Sequence, residues 1–115
     1  MNRLPHIPLV LCFALLGQAF AQQETLIPRS VAGDRGKYFL LNSKRVGSVV
    51  RALHKRVGVD SVVYTKTETD CKTMLMREIG NSEESPSHIK ESPTKWFELV
   101  PGSSKSDLAN FVCKL

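Results

Sequence analysis

Cys71, Cys113, His54 and His88 are residues of the expected mature chain whose side chains could carry chemistry, and their spacing narrows that chemistry. A metal site needs three or four convergent ligands. The two histidines lie in unrelated segments, without H-x-x-x-H spacing, and supply too few. Serines are plentiful, but no G-x-S-x-G element holds one as a nucleophile. Glu83-Glu84 reads as a solvated loop rather than a carboxylate pair for acid–base work. No catalytic residue, no metal site and no cofactor are expected. The cysteines are an even pair, and in an oxidising compartment they bond or stay as two free thiols; bonding is the expectation. Cys71–Cys113 is the one intramolecular bridge they can make, and closing that loop stabilises a chain by up to ~4 kcal/mol. Arg51, Lys55 and Arg56 form a third group, a basic patch for an anionic glycan, lipopolysaccharide or an acidic protein. The same charges would also guard an edge strand against aggregation.

The compartment follows from residues 1–21. Arg3 precedes an apolar run from Ile7 to Leu16, and Ala19-Phe20-Ala21 supplies a small-residue cleavage site. That run is too short to span a bilayer, so no transmembrane anchor is expected. Cys12 is lost with the signal, and Leu11 before it is too large for a lipid-attachment site. An exported product, periplasmic or extracellular, should begin near Gln22 as one small domain.

The full chain carries a net charge of +5, unevenly spread. Arg29 to Arg56 holds eight basic residues against Asp34 alone, whereas Asp60 to Glu98 holds eight acids and five bases. Such an asymmetry attracts anionic surfaces, or is the ordinary solvated face of a small sheet. Nucleic acid is not an expected partner outside the cytoplasm.

The elements that must position these groups read as follows. Residues 22–36 form an extended arm or a short edge strand. Lys37 to Leu41 is a strand signal, bounded by Gly36 and Asn42-Ser43. Val46, Val49, Val50, Leu53 and Val57 recur at helical spacing with Ser43 as a cap, whereas the valine content and Gly47 count against a helix interior; periodicity alone leans slightly to the helix. Ser61 to Thr69 is dense in β-branched residues, with Val63, Thr65, Thr67 and Thr69 on one face. Lys72 to Ile79 is its partner strand. Glu83 to Thr94 is a polar loop from which Ile89 dips back to the core as a short strand, and Trp96 is a core or interface anchor. Ser104-Lys105-Ser106-Asp107 fits a capping box. Leu108, Phe111, Val112 and Leu115 then follow at the spacing of an amphipathic helix. Several strands with one covering helix make an α+β domain: a small antiparallel β-sheet with one C-terminal α-helix tethered by a disulfide.

Residues 37–115 resemble the surface-adhesin protein E family of Gram-negative bacteria. The resemblance rests on Glu68-Thr69-Asp70-Cys71, on the K-x-M-x-M-R-E stretch from Lys72 to Glu78, and on W-x-x-L-x-P-G-S from Trp96 to Ser103. A helix carrying the second cysteine completes it. The resemblance implies an antiparallel sheet with its helix tied down by Cys71–Cys113, and a strand at Val46–Val57. It also implies binding to matrix or serum proteins, with a homodimer in some members. The function expected is therefore a secreted or periplasmic, non-enzymatic binding module contacting a protein or an anionic envelope or matrix component. The alternative is a periplasmic accessory or inhibitor protein, immunity-type, that blocks one partner.

Overall fold

Every strand of this chain pairs with its neighbour in sequence. The computed structural model describes residues 24–115, so the expected export signal over residues 1–21 lies outside the described residues. Six strands form one antiparallel sheet in the order β1 to β6. They are β1 (Thr25–Ile27), β2 (Lys37–Val46), β3 (Val49–Val57), β4 (Val62–Asp70), β5 (Leu75–Ser82) and β6 (Phe97–Glu98). A helix, α1 (Ser104–Val112), follows. The domain is α+β, as expected.

The central hairpin explains the conflicting periodicity of residues 46–57. Val46 and Val49 pair across a two-residue turn at Gly47-Ser48, and Gly47 has a φ of 62°, which glycine adopts without strain. Val46 ends one strand and Val49 opens the next. The turn shifts the phase of the apolar residues and imitates helical spacing. β2 is also longer than the apolar run Lys37–Leu41, because its second half pairs fully with β3. The register shifts at Leu41 between Leu40 and Asn42. A bulge of this kind bends a strand.

β4 alternates as its β-branched pattern requires. Thr65, Thr67 and Thr69 are buried and the intervening residues are partly exposed. β5 starts at Leu75 rather than Lys72, because the chain first turns through Cys71–Met74. The Asp70 carboxylate accepts the amides of Lys72 (2.9 Å) and Thr73 (3.4 Å), and Met74 takes a φ of 57°. Ile89 is buried as expected, although it follows a short 3₁₀ turn at Pro86–His88 and not a strand. The segment beyond runs along β5, with the amides of Ser92 and Thr94 donating to the carbonyls of Ile79 and Glu78. A Cβ on Gly80 would lie 2.5 Å from the Lys90 carbonyl oxygen, so only glycine admits this crossing.

α1 lies on one face of the sheet. Leu108, Ala109 and Val112 join a single apolar cluster with Ile27, Leu40, Val50, Ala52 and Met76. The helix begins one residue earlier than the capping-box reading. Ser103 is the N-cap, and its hydroxyl accepts the Ser106 amide at 3.2 Å. Asp107 is thereby released for another role. At the other end Cys113 caps the helix and bonds to Cys71 at 2.04 Å, so the expected bridge is present.

Candidate functional site

The Arg51, Lys55 and Arg56 patch is divided by the pleat of β3. Successive side chains of a strand point to opposite faces. Arg51 and Lys55 point to the face away from α1. Arg56 pairs with Tyr38 and points to the helix side. Each of the three already faces a carboxylate. Arg51 contacts Glu68 (3.4 Å) and Glu91 (3.3 Å), Lys55 contacts Glu24 (2.6 Å), and Arg56 contacts Asp34 (2.6 Å). The basic half of the sequence is thus partly paired with the acidic half inside the sheet.

On the helix side, Arg56 belongs to a cluster that seats the N-terminal arm. Arg29 and Arg56 lie on the Tyr38 ring, at 5.2 and 5.8 Å from its centroid. The Tyr38 hydroxyl donates to Asp34 at 2.5 Å. Arg56, Tyr38 and the Gly36 amide hold the Asp34 carboxyl well below the usual carboxylate range. Next to this cluster, Asp107 accepts from Arg29 Nε (2.8 Å), the Ser30 amide (3.0 Å) and the Ser30 hydroxyl (2.6 Å). Burial opposes charge on Asp107, but the bonds from Ser30 and Arg29 prevail and keep its carboxyl below the ordinary value. The arm is therefore fixed: β1 pairs with β2, and Arg29 and Ser30 grip the helix. Sequence reasoning missed this clasp, since nothing in a lone aspartate reveals a partner 77 or 78 residues away.

The histidines do not meet. His54 is buried beneath α1, its Nδ1 without a hydrogen-bond partner among the described residues. Burial, helped by Lys105, pushes its pKa down to about 4. His88 is exposed on the 3₁₀ turn, where its Nδ1 lies 2.6 Å from the Ser85 hydroxyl. Glu83 and Glu84 are both exposed. Among the described residues no three His, Cys, Asp or Glu side chains are grouped to hold a metal ion. No helix among them is long and apolar enough to cross a membrane.

The face away from α1 is a different surface. Cross-strand register places Phe39, Lys55 and Tyr64 in one row, Asn42, Leu53 and Lys66 in the next, and Lys44, Arg51, Glu68 and Arg77 in a third. Glu91 reaches in from the loop and bridges Arg51 and Lys66 (3.2 Å). Lys66 and then Arg51 lower the pKa of that carboxyl. Lys44, Arg51 and Lys66 rim a shallow depression of about 240 Å³ floored by Leu53 and Asn42. Trp96 is not a core anchor: it is 39% exposed, with Arg77 4.8 Å from its ring centroid. Comparison with known protein families, curated proteins and solved structures finds no match to this chain.

Proposed function

We propose that this protein is an exported, non-enzymatic binding module that contacts an anionic protein or envelope surface through the sheet face opposite α1. One observation carries the reading. One face of the sheet is closed by a helix and a disulfide, while the other presents Lys44, Arg51 and Lys66 around Leu53 with no helix over it among the described residues. A surface that mixes cations with aliphatic and aromatic side chains is suited to a partner of opposite charge, because complementary fields steer encounter and favour the matching partner. The binding role is the one that the resemblance to surface-adhesin protein E implies. The disulfide supports export, since such bonds persist in oxidising compartments.

Biolayer interferometry of the oxidised protein on poly-L-glutamate and poly-L-lysine surfaces tests this. We expect binding to poly-L-glutamate alone, weakened about tenfold or more in the Arg51→Gln/Lys66→Gln double variant at unchanged melting temperature. Equal binding by the double variant would remove the open face from the reading.

A further inference from the structure

The outer edge of β2 is covered over only half its length. Among the described residues β1 pairs with Tyr38, Phe39 and Leu40. The bulge at Leu41 follows directly, and β2 continues to Val46. Among the described residues no strand pairs with the outer edge from Asn42 to Val46. An edge of this kind is a template for an added strand.

Charge specifies what that strand carries. The third row of the open face reads Arg77, Glu68, Arg51, Lys44 across four strands. Signs alternate until the last pair, where two cations stand opposite each other. Like charges in that position repel. Arg51 is relieved by Glu68 and Glu91, whereas Lys44 faces no carboxylate among the described residues. The covered half of the same edge shows how a nearby cation is satisfied. There the arm that supplies β1 also brings Glu24 to Lys55, one strand inward on β3, at 2.6 Å. The uncovered half has the lysine and the edge but lacks the acidic strand. Cations on this edge also disfavour a second copy of itself, so the vacancy selects a different, acidic chain.

We infer that Asn42–Val46 takes an extended acidic segment of a partner protein as an added strand, with an acidic side chain in register with Lys44. The inference rests on the binding role proposed above and assigns it a location and a partner chemistry. Main-chain hydrogen bonds supply the attachment, and the Lys44–Arg51 pair supplies the preference.

Two labelled six-residue peptides test it by fluorescence anisotropy on the oxidised full chain, one alternating Glu with Val and one alternating Lys with Val. We expect the Glu peptide to bind, the Lys peptide to fail, and Lys44→Gln to weaken binding about tenfold. Amides within 42–46 should gain hydrogen-exchange protection on binding. N-methylation of alternate peptide residues should abolish binding in one phase and spare it in the other. Indifference to both N-methylation phases would sink strand addition. So would protection, in the protein alone, of those amides within 42–46 that do not bond to β3, or self-association through that edge. If Arg51→Gln/Lys66→Gln abolishes peptide binding while Lys44→Gln does not, the open-face reading stands and the edge inference falls. If both peptides bind alike, both fall.

Discussion

The two faces of the sheet are built from the same four long strands and obey different rules. On the side of α1, Val50, Ala52, Thr67, Thr69 and Met76 are buried almost completely, and Val50, Ala52 and Met76 cluster with Leu108, Ala109 and Val112. On the other side, Arg51, Lys66, Glu68 and Arg77 form ion pairs that remain in contact with water. Burial of apolar area stabilises a fold, whereas exposed ion pairs contribute ~1 kcal/mol or less. Stability therefore resides mainly on one face.

Substitutions should separate the faces clearly. The largest effect is expected beneath the helix, where Leu108→Ala should cost about 2–5 kcal/mol, read from urea or thermal unfolding. A smaller cost there than for an open-face change would contradict the division. Cys113→Ser should follow, at roughly 2–4 kcal/mol, with reductant lowering the wild-type melting temperature and leaving the variant unchanged.

His54 comes next, through pH. Its folded pKa is about 4 against an ordinary 6.5. The unfolded ring therefore takes a proton first as pH falls, and the folded state loses stability through that window, by up to ~3 kcal/mol. Below the folded value this contribution levels off. Unfolding measured from pH 7 to pH 4 should show the slope in the wild type and a flatter profile in His54→Leu. Parallel profiles would mean that His54 is not buried as a neutral ring. The smallest effect belongs to the open face: Lys66→Gln should shift stability by less than ~1 kcal/mol.

The parts of the fold governed by local pattern were legible in the sequence. The β-branched run of β4, the apolar stripe of α1 as far as Val112 and the even cysteine pair each follow from neighbours in sequence or from simple counting, whereas Leu115 lies past the helix and is exposed. Failures occurred where distant groups decide. Ser103 rather than Ser104 is the cap, and Asp107 is held instead by Arg29 and Ser30 from the far end of the chain. The alternation from Lys72 broke because Asp70 caps the turn that precedes Leu75. The basic triplet divided because a strand's pleat sends Arg56 opposite to Arg51 and Lys55, and its neutralising partners come from the arm and the loop. Composition reveals a charge excess, but only register reveals which charges remain unmatched.

The clasp of Arg29 and Ser30 on Asp107 has a bearing on biogenesis. A chain synthesised amino end first delivers its two grips early and their target almost last. Until residues near the carboxyl end emerge, the sheet lacks its lid and Arg29 its counter-ion. Maturation thus waits on complete delivery, and a product truncated before Asp107 would present an uncovered greasy surface for quality-control proteases to find.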